Sequence, residues 1–316
     1  MQFPIASFII LLMINNINFQ QTVHNWSGSI SGKVCYLPVL GPVYFNGQSV
    51  DKILYDILNN AVSENFLAFD KNKRWYNSKQ EKIIVSEITY GDDWLCVPTL
   101  NSTGNQLRIY YFSNKALDVA MLSKIADSYE KYKQKKWMNH CSVLSFIRPS
   151  VKTDIKHHNI YLKIINEKDQ LSAEPKEIFY YNELDEKTKA TFVLLGKEPD
   201  MDGFSFLNEQ LAKNGGFQSS VVCLVCDNVI IGAIGPLDVL KDGFDTPWLL
   251  PPYFGVKEKF RGKDCGERLW DKAMNYAFVQ GAKYTLVQNS PNSLAAQFYE
   301  NQGLEKAGEV FIVNLC

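Results

Sequence analysis

The 316-residue chain has little that would mark it for nucleic acid, a metal ion or a bilayer. Its formal net charge is −1, with Lys and Arg scattered along the chain. A nucleic-acid footprint would need a basic face, so no nucleic-acid partner is expected. The densest basic run, KYKQKK at 131–136, reads as the solvated end of a helix. His157 and His158 are neighbours, and on a strand they would point to opposite faces rather than hold one ion together. Seven cysteines, an odd number, lie without the close spacing of a disulfide scaffold. Cys223 and Cys226 form a C-x-x-C inside SVVCLVCDNVIIG, a valine-rich run with no second pair and no nearby histidine. They read as buried strand cysteines, and no metal site is expected.

The N-terminal apolar stretch Pro4–Ile14 is too short to span a bilayer. It suits the core of a signal peptide, yet no Lys or Arg precedes it and no small-x-small site follows. A buried first strand or helix is the preferred expectation, in a cytoplasmic protein. A cleaved signal and the secretory pathway are the alternative. The sequons at Asn25 and Asn101 match at the rate chance provides and do not argue for secretion.

What is present is an ordinary globular composition, 46% apolar and 21% charged, long enough for two domains. From residue 159 the pattern is legible. NIYLKII at Asn159–Ile165 alternates as a strand, and helix is expected at Glu186–Leu195 and Phe204–Asn214, the latter ended by Gly215-Gly216. Two strands, Ser219–Cys226 and Val229–Leu237, are joined by Asp227-Asn228, a hairpin signal. Trp248–Val256 is a further apolar run. Asp264–Gln280 is a helix with Leu269, Ala273, Tyr276 and Ala277 on one stripe. Lys283–Gln288 reads as a buried strand, Ser293–Gln302 as a helix closed by Gly303, and Val310–Leu315 as a last strand. The order predicts an α/β (α+β) layer, a mixed sheet flanked by helices.

The first half reads as helix at Val50–Val62, strands at Lys82–Ile88, Trp94–Pro98 and Leu107–Phe112, a long helix at Ala116–Lys133 and a strand at Ser142–Ile147. Three strands, a helix and a strand echo the order of Ser219–Gln288, although no residue motif repeats. Arg148–His158 is the expected linker. The domains expected are an N-terminal α/β domain over 1–150 and a second over 159–316.

Two stretches carry chemistry. In YFGVKEKFRGKDCGERLWDKAM, residues 253–274, a strand ends near Val256, a loop passes Arg261-Gly262, and a helix starts near Asp264–Gly266. Amides in such a loop and first helical turn lack intrahelical acceptors and can cradle a pyrophosphate, with the helix dipole in support. Gly262 and Gly266 let the backbone approach an anion, and Lys257, Arg261 and Lys263 add positive charge. The other reading is a capped helix in a surface turn. In KYTLVQNSPNSLAAQFYENQGL, residues 283–304, Asn292 is expected at the N-cap of the last helix, with Tyr299 two turns on and on the same face. That phenol reads either as a proton donor or as a core tyrosine with a satisfied hydroxyl.

Together the two stretches resemble the GNAT superfamily of acyl-CoA-dependent N-acetyltransferases, over roughly residues 159–316. In that family a strand leads into R-G-x-G-x-G or R-x-x-G-x-G/A opening a helix. A further strand and N-x-x-A-x-x-x-Y-x-x-x-G-F come next. Here Arg261, Gly262 and Gly266 meet the first motif. Asn292, Ala295, Tyr299 and Gly303 meet the second, with Leu304 for the usual aromatic.

The resemblance implies a cleft between two splayed parallel strands that holds acetyl-CoA or a related acyl-CoA as cosubstrate. The pyrophosphate would lie on the amides of Arg261, Gly262, Lys263, Asp264, Cys265 and Gly266, and the pantetheine along Val256. Asn292 would contact the pantetheine arm and Tyr299 would protonate the departing thiolate, as a small-molecule or peptide amine attacks the thioester. Two departures stand out. Asp264 occupies the family's central glycine position, where a carboxylate would cost affinity unless it points outward or caps the helix. WLLPPYFGV carries no carboxylate to serve as base, leaving Tyr253, Asn289, a water chain or an already deprotonated amine; Glu258 lies past the strand. A GNAT-fold protein that binds acyl-CoA without transferring the acyl group is therefore the alternative function. The acidic residues Glu177, Glu183, Asp185 and Glu186 read either as a site for a cationic amine or as a solvated helical face. The first half reads as a degenerate GNAT-like domain or as an unrelated α/β module that recruits a protein partner. It has no stretch like 261–266, so no second CoA site is expected.

Overall fold

The computed structural model describes residues 16–27, 33–47, 49–63, 81–101, 105–134, 140–173, 176–198, 201–217, 219–242 and 244–315. The apolar stretch Pro4–Ile14 lies outside them. In chain order the elements begin with α1 (Ile17–Ser27), β1 (Val34–Leu37), β2 (Gly41–Tyr44) and α2 (Val50–Ser63). Next come β3 (Glu81–Ile83), β4 (Thr89–Tyr90), β5 (Trp94–Asn101), β6 (Gln106–Ser113), α3 (Val119–Ser128), α4 (Glu130–Lys133), β7 (His140–Ser145) and β8 (Ile155–Ile164). The second half continues with β9 (Ile178–Tyr180), α5 (Glu186–Lys189), α6 (Asp202–Asn214), β10 (Ser220–Cys226), β11 (Val229–Leu237), β12 (Val239–Lys241), β13 (Pro247–Leu249) and β14 (Tyr253–Val256). It closes with α7 (Cys265–Val279), β15 (Tyr284–Asn289), α8 (Leu294–Asn301) and β16 (Glu305–Asn314). The architecture is α/β, as the periodicity predicts. Among the described residues no helix is long and apolar enough to cross a membrane.

The chain forms two compact units. One comprises Met1–Tyr161, Gln288–Asn301 and Glu305–Cys316, the other Leu162–Val287 and Gln302–Leu304. In the first, strands run in the order β16-β7-β6-β5-β3, with β4 also on β5. β5 and β6 form an antiparallel hairpin, and β6 then crosses over through α3 and α4 to pair with β7 in parallel. That parallel pair stays closed from Gln106↔His140 to Tyr111↔Ser145. Leu107, Ile109, Leu117, Ile125, Tyr129, Cys141 and Val143 form a buried cluster between sheet and helix. Asp118 starts α3 by accepting from the Met121 amide at 2.8 Å, which satisfies one of the unpaired donors of the helix end.

In the second unit β14-β11-β10-β9 form a sheet. The β10–β11 hairpin turns on Asp227 and Asn228, both at positive φ (50° and 59°), the combination a two-residue type I′ turn requires. A helix covers each face of this sheet. A Cβ at Gly255 would meet Met201 Cε at 2.6 Å and Phe204 Cε2 at 3.1 Å, so α6 lies close against that side. A Cβ at Gly232 would meet Leu269 Cδ1 of α7 at 3.0 Å and Val256 Cγ2 at 3.1 Å, so α7 lies on the other.

Several boundaries differ from the sequence expectation. The long helix expected at Ala116–Lys133 is two, α3 and α4, divided at Tyr129. Lys82–Ile88 is a short strand followed by a 3-10 turn, Val85–Glu87. Beyond Lys189 the expected helix continues as 3-10 geometry through Lys197. The expected linker Arg148–His158 ends inside β8, which begins at Ile155. The polar side chains of Lys156, His157 and His158 hide that strand in the sequence.

Candidate active site

The apolar run Trp248–Val256 is two strands, not one, and the break between them leaves a strand edge open. β13 pairs in parallel with β15, Trp248 against Tyr284 and Leu249 against Thr285. Pro251 and Pro252 then interrupt the chain. A proline has no N–H to donate, so the ladder toward β15 cannot continue through them. Past the prolines β14 pairs antiparallel with β11, Gly232↔Val256 through Gly235↔Tyr253. Among the described residues no strand occupies its other edge. Lys257 N–H donates to the Ile231 carbonyl at 2.8 Å, so by alternation the amides of Phe254 and Val256 face the open edge.

Beyond β14 the chain makes one 3-10 turn, Glu258–Phe260, and enters the loop. Arg261 folds back and donates from Nε to the Val256 carbonyl at 3.0 Å. Gly262 sits at φ +70° with nothing within 4 Å of a Cβ added there. Asp264 sits at φ +55°, immediately before Cys265 opens α7. The first amide bonded within α7 is that of Arg268, to the Asp264 carbonyl at 3.0 Å. Among the described residues nothing accepts from the amides of Gly262 through Glu267. The loop therefore presents a run of unpaired donors at a helix N-terminus, with Gly266 in the first turn. Lys259 and Lys263 stand over the Phe260 ring, their Nζ atoms 4.8 and 5.7 Å from its centroid.

Asp264 occupies the cap position but makes no side-chain cap bond; its carboxylate is exposed. The left-handed backbone explains why glycine suits this position, since a Cβ is disfavoured there and Asp is among the few side chains that tolerate it. Lys257 also departs from expectation. Side chains alternate along a strand, so Lys257 falls on the Gly255 side facing α6, not the Val256 side facing α7. It is 7% exposed, and burial moves its ammonium pKa below the ordinary lysine value.

Asn292 and Tyr299 belong to the first unit. Asn292 is not the N-cap of α8. It lies in the preceding turn at φ +60°, and Ser293 caps instead, its Oγ accepting from the Ala296 amide at 3.1 Å. A side chain in the left-handed turn does not share a helical face with Tyr299, so that expectation fails too. Tyr299 is buried at 8% exposure, and burial pushes its phenol up to about 12. Its ring lies 6.0 Å from that of Tyr161. The Tyr161 hydroxyl donates to Glu300 Oε1 at 3.1 Å and accepts from Asn159 Nδ2 at 3.2 Å.

The acidic run serves local structure. Glu177 pairs with Arg268 at 3.2 Å and Glu183 accepts from the Tyr180 amide at 2.9 Å. Asp185 caps α5 through the Thr188 amide at 3.0 Å, and Glu186 pairs with Lys189 at 2.8 Å. Of the residues considered as bases, Glu258 is exposed and Asn289 Oδ1 accepts from the Ser290 amide at 2.7 Å. Among the described residues no cluster of His, Cys, Asp and Glu fit for a metal occurs; Cys223 is buried in β10 and Cys226 half-buried at its end. Sequence reasoning misses the break at Pro251-Pro252 and the burial of Lys257. The first is readable from two adjacent residues without N–H groups; nothing in the sequence signals the second.

Residues 181–304 match the sequence model of the Acetyltransferase (GNAT) family. None of the curated proteins compared matches the chain. Similar solved structures include a conserved protein of unknown function from Staphylococcus epidermidis, at 13% identity and TM-score 0.48, covering 71% of this chain and 91% of that one. A tandem GNAT protein from the clavulanic acid biosynthesis pathway is 10% identical, with TM-score 0.47, covering 95% and 96%. A GCN5-related N-acetyltransferase from Sphaerobacter thermophilus is 12% identical, with TM-score 0.44, covering 72% and 82%. Over residues 181–304 the chain carries a domain of the Acetyltransferase (GNAT) family.

Proposed function

We propose that this protein transfers an acyl group from acetyl-CoA, or a related acyl-CoA, to a primary amine by direct attack on the thioester. One observation carries the reading. A parallel strand pair separates at Pro251-Pro252, directly before a glycine loop whose amides have no acceptor. The open edge of β14 offers the Val256 amide to the pantetheine, in the manner of an added strand. The pyrophosphate is held by the loop from Arg261 through Gly266, where the free amides and the helix dipole favour negative charge.

The thioester supplies the activated acyl group, and the protein supplies placement and protons. Holding amine and acyl carbon together replaces a bimolecular encounter, which supplies much of the rate. Tyr299 is assigned as proton donor to the leaving thiolate, and its raised pKa keeps the phenol protonated at neutral pH. Asn292 contacts the pantetheine arm. Neither β13 nor β14 carries a carboxylate, so the amine's proton leaves to water, with Tyr253 and Asn289 as polar groups that could orient it, or the amine arrives deprotonated.

The test is release of free CoA thiol over an amine library, with Tyr299→Phe alongside wild type. Acyl-CoA binding without transfer is the second reading, favoured by the carboxylate-free strands and by Asp264 at the loop. Tight acetyl-CoA binding with no thiol release over the library would select it. For the first half we propose a degenerate GNAT-like domain with no CoA site of its own. Its hairpin-then-crossover order supports the kinship, the β6–β7 pair stays closed over its length, and Asp118 takes up one of the amides at the start of α3.

A further inference from the structure

Tyr299 is carried by a short helix with few anchors. Of the eight residues of α8, Leu294–Asn301, Ala296 and Tyr299 alone are buried. A helix of about two turns is marginal by itself, so the contacts of its side chains decide where it sits. Ser293 fixes the first turn through the Ala296 amide. Toward the other end, one side chain of β8 makes two of the fixing contacts. The Tyr161 ring packs beside that of Tyr299, 6.0 Å between centroids and tilted by 49°, while Phe298 meets Tyr299 from within the helix at 5.8 Å. The Tyr161 hydroxyl reaches the next residue and donates to Glu300 Oε1 at 3.1 Å. Tyr161 thus touches α8 at two consecutive residues, once through its ring and once through its hydroxyl.

That hydroxyl is also held from its own strand. Asn159 Nδ2 donates to it at 3.2 Å, and both Asn159 and Tyr161 are buried. Among the described residues nothing donates to Asn159 Oδ1. A buried amide oxygen in that state costs about 1–3 kcal/mol. A leucine at 159 beside a phenylalanine at 161 would fill similar space with no polar group to satisfy. The polar pair is therefore a poor device for stability and a good one for direction. Two hydrogen bonds fix the Tyr161 hydroxyl, and with it the tilt of the ring against which Tyr299 rests.

We infer that Tyr161, oriented by Asn159 and Glu300, is the positioning residue for Tyr299. The inference rests on Tyr299 as proton donor in the acyl transfer above, and adds what sets the donor's direction. Tyr161 exchanges no proton in the reaction; it holds the Tyr299 ring in place. Alignment of this kind is costly to lose, since a displacement of about 1 Å can slow a reaction about 10²-fold.

The experiment uses the full chain. Acetyl-CoA affinity is measured by calorimetry. Thiol release from acetyl-CoA is measured with glycine, β-alanine, spermidine, 2-phenylethylamine and Nα-acetyl-lysine, and the pH profile is recorded with the fastest of them. Tyr161→Phe keeps the ring and loses the hydroxyl. It is expected to lower kcat about tenfold, with acetyl-CoA affinity and acceptor KM changed by no more than about twofold. Made in Tyr299→Phe, the same substitution is expected to cost nothing further, because its effect passes through the Tyr299 hydroxyl. Glu300→Gln keeps an accepting oxygen and is expected to recover most of the rate that Glu300→Ala loses. Asn159→Leu combined with Tyr161→Phe removes both polar partners. That double variant is expected to melt no lower than wild type, yet to turn over as slowly as Tyr161→Phe.

Wild-type kcat in Tyr161→Phe would overturn the inference, as would an equal loss with and without the Tyr299 hydroxyl. A rate that simply follows melting temperature across the variants would make the contact structural and overturn it too. Glu300→Gln as slow as Glu300→Ala, with a displaced pH profile, would make the carboxylate a carrier of the amine's proton instead. Unaltered turnover in Tyr299→Phe alone would end the proton-donor assignment and this inference with it. A wild type that releases no thiol with any of the acceptors would defeat the acyl-transfer reading itself.

Discussion

Arg261 donates from Nε to the carbonyl oxygen of Val256 at 3.0 Å, so the residue that opens the glycine loop is tied to the last residue of β14. The bond holds the loop against the strand whose open edge precedes it. Arg261→Met removes a charged donor worth about 1.5–3 kcal/mol. It is expected to weaken acetyl-CoA binding about tenfold or more in calorimetry, while the melting temperature falls by only a few degrees. Unchanged affinity would remove Arg261 from the binding account.

Asp264 places a carboxylate and a Cβ where the backbone is left-handed. Asp264→Gly removes both and is expected to tighten acetyl-CoA binding, by about 1 kcal/mol if the charge stands near a pyrophosphate in partly exposed surroundings. Asp264→Ala removes the charge but keeps a Cβ at φ +55°, which costs about 1–2 kcal/mol in that region. Its melting temperature should fall below that of the glycine variant. Equal or weaker binding by Asp264→Gly would show that the carboxylate does not face the anion.

Gly255 is favoured by packing rather than by its backbone angle. A Cβ there lies 2.6 Å from Met201 Cε and 3.1 Å from Phe204 Cε2, so Gly255→Ala moves the end of a flexible methionine and shifts the Phe204 ring slightly. Its cost should lie at or below the lower end of the about 1–3 kcal/mol typical of overpacking. Gly255→Val should cost more than Gly255→Ala in urea melts. Gly262→Ala should instead lose stability through its φ of +70° alone, since its Cβ meets nothing.

Tyr299 stays protonated until the pH approaches about 12, because burial disfavours the phenolate. The folded pKa exceeds the unfolded one. The stability that burial contributes is therefore complete below the unfolded value of about 10 and is lost as pH rises toward the folded one. The rate should show no alkaline limb from Tyr299 through pH 10. Tyr299→Phe should lower kcat by about 10²–10⁴ while leaving acetyl-CoA affinity within a few-fold. Unaltered turnover would end its assignment as proton donor.

The loop is legible in the sequence because its signals are local: a glycine pair, a basic cluster and the start of an amphipathic stripe. The β10–β11 hairpin is legible from Asp227-Asn228 for the same reason. Elements fixed by distant partners are not. β9 is three residues long and exists through its pairing with β10. β8 begins four residues earlier than its apolar pattern. His157 is held there by Glu309 at 2.8 Å and by stacking on Phe311, partners about 150 positions away. The cap of α8 lies one residue beyond its expected place, because Asn292 and Ser293 are both good caps and only the backbone angle separates them. The internal echo of the first half is visible as element order. The closed β6–β7 register and the Asp118 cap emerge only in three dimensions.

The central claim is that the loop after β14 is the acyl-CoA site of the whole chain. Calorimetric titration of the full-length protein with acetyl-CoA tests it most directly, in wild type and in Gly262→Val, where a β-branched residue is strained at φ near +70°. The account predicts one acetyl-CoA per chain in wild type and a loss of binding in Gly262→Val, with both proteins folded by circular dichroism. Two equivalents per chain, no binding, or undiminished binding in the variant would contradict it.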